Sequence, residues 1–94
     1  MEIKVTPSFT RSIKKLHERD KLTLDDAIND IVKNPYIGSQ KKGDLSKILV
    51  HKFKINKQEV LLVYKKLEPS RDNPEVLVLV LLGTHENFYR ELKQ

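Results

Sequence analysis

ILVHKFKINKQEVLLVYKK (residues 48–66) is the stretch on which the fold class turns. Ile48 to Ile55 reads as a strand carrying many charges, and Glu59 to Lys66 as a second strand centred on Val60-Leu61-Leu62-Val63-Tyr64. Downstream, Glu68 to Pro74 holds two prolines with Asp72 and Asn73 between them, a turn composition. Val76 to Leu82 follows as a third strand, and its unbroken apolar run predicts an interior strand covered on both faces. Thr84 is placed to cap a final short helix, with Glu86 in the favourable first turn and Phe88 and Leu92 spaced to pack.

Upstream of this core the period changes from two to about 3.6. Glu2 to Val5 alternate as one more short strand. Thr6-Pro7 reads as a helix start, because a threonine can accept from the unpaired N–H groups and proline suits the first helical position. Phe9, Ile13 and Leu16 then form one apolar stripe, on a helix predicted to end near Asp20-Lys21. A second helix is predicted from Thr23, with Asp26 three residues on in a weak capping box. Leu24, Ala27, Ile28, Ile31 and Val32 would be its buried face, Asn34-Pro35 its end, and Gly38 to Gly43 a loop. The expected order is β-α-α-β-β-β-α: a single α+β domain over residues 1–94, an antiparallel sheet with a helix pair on one face and a short C-terminal helix.

Composition narrows the function classes. With no cysteine among 94 residues, disulfide staples, thiolate metal sites and a cysteine nucleophile are excluded, which suits a cytoplasmic protein. The longest apolar run has seven residues, Val76 to Leu82, against the ~20 that a membrane helix needs. No basic-then-apolar leader opens the sequence. The net charge of +5 is unevenly spread: from Lys41 to Lys66, eight lysines face only Asp44 and Glu59, a local +6 that leaves −1 for the remainder. Such a cluster attracts polyanions, although a solvated lysine-rich surface has the same composition.

His17, His51 and His85 share no metal-ligand spacing, and neither a phosphate-binding glycine loop nor a nucleophile elbow is present. Acid–base and electrostatic chemistry on a polyanion remains. Lys52 and Lys54 stand two apart, so on a strand they share a face; a phosphate between them would relieve their repulsion, and a plain wet face fits the same spacing. At Gly83-Thr84-His85 a strand turns into a helix start, where exposed N–H groups favour an anion and where a histidine can exchange protons near neutral pH. Tyr89 lies four residues on, on the same helical face, placed either to stack on a base or to pack in the core. His17, among charged residues, reads as plain surface.

The element order, the Lys52-Phe53-Lys54 strand, the Leu61-Leu62-Val63-Tyr64 strand and the Gly83-Thr84-His85 turn together resemble the RelE/ParE superfamily of toxins from type II toxin–antitoxin systems. Gly-Thr-His before an aromatic-bearing helix is most like the YafQ branch, and Lys-x-Lys before a hydrophobic strand is like RelE. The resemblance implies a metal-independent mRNA endoribonuclease, typically acting in the ribosome, that inhibits translation without a cofactor. It implies that Lys52 and Lys54 hold the scissile phosphate, that His85 is the general acid and that Tyr89 orients substrate. Lys47, His51, Lys65 and Arg90 would bind RNA around them. The residues leave the general base open between Glu59, His51 and, in so cationic a site, a lysine with a lowered pKa. It also implies a cognate antitoxin, acidic and partly disordered, over the basic face. One departure stands out: RelE-like enzymes carry an arginine where this sequence has Leu61, so either Lys65, Lys66 or Arg90 compensates or this member is a weak nuclease. The alternative within the resemblance is the ParE branch, which shares the fold and inhibits DNA gyrase without nuclease activity.

Overall fold

The computed structural model describes residues 2–40, 48–67, 69, 71, 72 and 74–84. Strand β1 (Glu2–Val5) leads into helices α1 (Pro7–Ile13) and α2 (Glu18–Lys33). Strands β2 (Ser39–Gln40), β3 (Leu49–Ile55), β4 (Gln58–Leu67) and β5 (Val76–Gly83) follow. One sheet contains all five strands in the order β1-β5-β4-β3-β2.

Helix α1 starts as its sequence predicts. Thr6 is extended, Pro7 opens the helix, and the Thr6 hydroxyl accepts from the Phe9 N–H at 3.1 Å. The same hydroxyl donates to the Val80 carbonyl, and the Thr6 N–H donates to Leu79 O at 3.1 Å. Those two contacts fall on an irregularity of β5: Val63 pairs with Leu81 but Tyr64 with Leu79, which leaves Val80 as the extra residue of a bulge. A bulge strands a carbonyl from the ladder, and Thr6 satisfies it.

The helix boundary differs from the predicted one. α1 stops at Ile13 and α2 begins at Glu18, five residues ahead of Thr23, so the Thr23–Asp26 box lies inside the helix and caps nothing. His17 is the extended residue at the start, and its carbonyl accepts from Asp20 N at 2.9 Å and Lys21 N at 3.0 Å. Glu18 and Asp20 in the first turn complement the helix dipole. The buried stripe of α2 is Asp20, Leu24, Ala27 and Ile31. Its first member is a carboxylate, so apolar periodicity detects the stripe one turn late. Asn34 closes the helix as expected, its N–H reaching Asp30 O.

The sheet is mixed, not antiparallel throughout. β3, β4 and β5 form the expected antiparallel meander, and β1 lies parallel to β5, Glu2 opposite Val76 and Val5 opposite Leu79. β5 is interior, as its apolar run predicts. Part of the supposed loop after Gly38 is also strand: Ser39 and Gln40 pair with Val50 and Leu49. The predicted C-terminal helix lies outside the described residues.

Alternation divides the meander into two apolar clusters. Leu49, Leu62, Tyr64, Leu77, Leu79 and Leu82 pack with Phe9, Leu24 and Ile31 from the helices. Ile48, Val50, Leu61, Val63 and Leu81 form a second cluster from the opposite parity of β3 and β4. In the first, Tyr64 is 0% exposed; its hydroxyl donates to Pro35 O at 2.7 Å and accepts from Gly38 N at 3.0 Å. Burial raises its pKa, and the Gly38 N–H partly offsets this. Gly38 has to be glycine here: a Cβ would lie 2.7 Å from the Tyr64 hydroxyl and 2.9 Å from the Val50 carbonyl. One tyrosine thus ties the chain leaving α2 to the central strand.

Candidate nucleic-acid interface

The β3–β4 hairpin turns through two residues, Asn56 and Lys57, both with positive φ (51° and 68°). This is the geometry of a primed turn, which matches the strand twist and fixes register. Lys52 consequently sits opposite Leu61, and Lys54 opposite Glu59. Both lysines and Glu59 are exposed. By strand parity they share the face of Val50, Leu61 and Val63. Lys65 continues the same face of β4 and is exposed opposite Val78. Three cations and one carboxylate therefore surround a buried apolar row.

Leu61, 2% exposed, occupies the middle of that arrangement. It is flanked in register by Lys52 on one side and Gly83 on the other. The end of β5, from which the chain continues to Thr84 and His85, is thus two strand spacings from Lys52, about 10 Å.

Other residues named from sequence are separated from this face. His51 is half-buried and stacks on Phe53, ring centroids 5.7 Å apart and planes at 20°. Phe53 packs against the helix-side core, so the His51 ring points away from Lys52 and Lys54. Lys66 also lies on the helix side: its ammonium donates to the Tyr36 hydroxyl at 3.0 Å, sits 4.7 Å above the Tyr36 ring and is 3.5 Å from Glu75. It fastens the Tyr36 loop to β4 and is not available beside Leu61. Lys47, His85, Tyr89 and Arg90 lie outside the described residues.

Sequence reasoning missed a polar surface on α1. Ser8, Arg11 and Ser12, with Lys15 in the following turn, recur at helical spacing opposite the Phe9–Ile13 stripe and line a cleft of about 580 Å³ that reaches the hairpin tip and the end of β5. Among the described residues no three His, Cys, Asp or Glu side chains stand together as a metal site, and no helix is long and apolar enough to cross a membrane.

A helix pair against a mixed sheet whose β3–β5 meander carries exposed lysines on its other face defines the RelE/ParE toxin architecture. A family model described as the ParE-like toxin of type II bacterial toxin-antitoxin systems matches residues 3–93, and the chain belongs to that family. It is a toxin of a type II toxin–antitoxin system. Solved structures agree on the fold. The YoeB/ParE toxin from Agrobacterium tumefaciens superposes with a TM-score of 0.71 at 17% identity, over 90% of this chain and 99% of that one. A free-state mutant of the E. coli toxin RelE gives 0.65 at 16% identity, over 98% of this chain and 94% of that one. A chain of the intact E. coli RelBE toxin–antitoxin complex gives 0.63 at 16% identity, over 88% and 94%. No curated protein sequence matches significantly.

Proposed function

We propose that this toxin is a metal-independent endoribonuclease that cuts messenger RNA and so inhibits translation. The observation that carries this reading is the exposed Lys52–Lys54 pair, register-matched to Glu59 and flanked by Lys65 on one sheet face. Two ammonium groups fixed on a strand stabilise the charge that builds on a pentacoordinate phosphate. Glu59 is the base that takes the proton from the ribose 2′-hydroxyl, since the His51 ring is turned to the other side of β3. The 2′-oxygen bonds to phosphorus and the 5′-oxygen leaves, taking a proton from His85; a 2′,3′-cyclic phosphate and a 5′-hydroxyl result. Tyr89 stacks on a neighbouring base, and Lys47, Lys65 and Arg90 hold the flanking backbone. A cognate antitoxin is the proposed protein partner, with acidic residues over the same lysines; support comes from the RelBE complex among the structural neighbours. The test is ribosome-programmed mRNA cleavage by wild type, Lys52→Ala/Lys54→Ala, Glu59→Gln and His85→Ala. Cleavage that all three variants lose supports the reading; intact transcripts at toxic doses of wild type overturn it.

One observation favours a second reading, inhibition of DNA gyrase without chemistry. Buried Leu61 leaves no cation directly across from Lys52, and the matching family model is ParE-like. That reading predicts blocked supercoiling in vitro and toxicity indifferent to His85→Ala.

A further inference from the structure

We propose that the cleft between α1 and the hairpin tip is a nucleotide-binding subsite, which takes one nucleotide of single-stranded RNA next to the bond being cut. The inference rests on the nuclease reading for its biological use, but its physical basis is separate. At about 580 Å³ the cleft falls in the size range of small-ligand pockets. It is built in two halves of different chemistry. The α1 side offers the guanidinium of Arg11 and the ammonium of Lys15, both exposed. Arg11 is held along the helix by its bond to the Ser8 hydroxyl at 3.2 Å. The hairpin side offers the amides of Asn56 and Gln58, which carry donors and acceptors together, over apolar Val60 and Leu82. Cations beside an amide-edged apolar floor match a nucleotide: phosphate on the first half, base on the second.

Position supports the same occupant. The cleft reaches Gly83, which lies in the cross-strand row of Leu61 and Lys52. The cleft opens on the helix side of the sheet, so a strand held at Lys52 and Lys54 on the other face has to round the Asn56-Lys57 turn to bring its next phosphate to Arg11. Among the described residues Asp20 is the one acid in the wall; its carboxylate is 3.5 Å from Arg19 Nε, which offsets its charge.

The experiment measures binding of a fluorescent 2′-O-methylated RNA octamer, which lacks the attacking hydroxyl and so reports binding without cleavage. Wild type, Arg11→Gln/Lys15→Gln and Gln58→Glu are compared across a salt series, with thermal melts to verify folding. Losing the phosphate contact weakens binding roughly tenfold near 0.1 M salt and lowers the slope of log affinity against log salt by about 0.7, the value for one phosphate on a single strand. Gln58→Glu weakens binding severalfold through added negative charge. On cleavable RNA the double variant raises KM with kcat little changed. Wild-type affinity and salt slope in both variants overturn the subsite, and so does unchanged RNA binding paired with weakened antitoxin capture. If wild type binds the octamer through Arg11 and Lys15 yet never cuts RNA, the subsite stands and the nuclease reading falls. If wild type cuts RNA while both variants bind like wild type, the reverse holds.

Discussion

The two faces of the β3–β4 hairpin use neighbouring residues for opposite ends. On the helix side, Leu62 and Tyr64 are fully buried, every polar atom of the Tyr64 side chain has an internal partner, and Lys66 is engaged with Tyr36 and Glu75. On the other side, Lys52, Lys54 and Lys65 are exposed around Leu61. One face closes its polar groups inward to hold the fold, and the other leaves its charges for a partner. Stability and activity should therefore separate by parity along the same strands.

The largest expected effect is on the closed face. Leu62→Ala removes a fully buried side chain from the main core and should cost about 2–5 kcal/mol, enough to threaten folding of so small a domain; urea denaturation measures it. Lys52→Ala/Lys54→Ala is the mirror experiment. RNA cleavage should fall at least ~100-fold while the unfolding midpoint stays close to wild type. A midpoint that drops with activity would erase the distinction between the faces. Tyr64→Phe sharpens it: the Pro35 carbonyl and Gly38 N–H lose their buried partner, at about 1–3 kcal/mol by chemical denaturation. The same variant tests a pH effect. Burial raises the Tyr64 pKa in the folded state above its ordinary 10.0, so its contribution is fully present below pH 10.0 and is lost as pH rises through the folded value. Wild type should lose stability on that alkaline limb, and Tyr64→Phe should lose less. The smallest effect concerns the turn that sets the register of both faces. Lys57 holds a left-handed φ of 68°, and Lys57→Gly should relieve up to ~1 kcal/mol, read as a higher thermal midpoint.

The strands of the meander were legible because Val60 to Tyr64 and Val76 to Leu82 are too apolar and too short to be anything else. The Thr6-Pro7 start was legible because capping is local chemistry. The early start of α2 was not, since Asp20 stands in its buried stripe and breaks the apolar period. The parallel pairing of β1 with β5 and the short β2 were illegible for another reason: sheet neighbours distant in sequence leave no local signature. In the candidate site, the shared face of Lys52 and Lys54 follows from a spacing of two. The same rule applied to His51 would have put its ring on the opposite side. Arg11 and Lys15 read as an ordinary wet helix face, and only the hairpin tip packed nearby makes a cleft of them.

Thr6 and Val80, bonded through the threonine hydroxyl, stand 74 positions apart. Strand β1 can find its place in the sheet only after β5 exists. Loop closure over that distance is slow compared with helix formation, so α1 and α2 can be helical long before the sheet has its full width. On the ribosome, a nascent chain that has emerged only as far as Leu67 already carries Lys52 and Lys54 but has no β5 for β1 or β4 to pair with. The order of synthesis thus delays assembly of this sheet until β5 has been made.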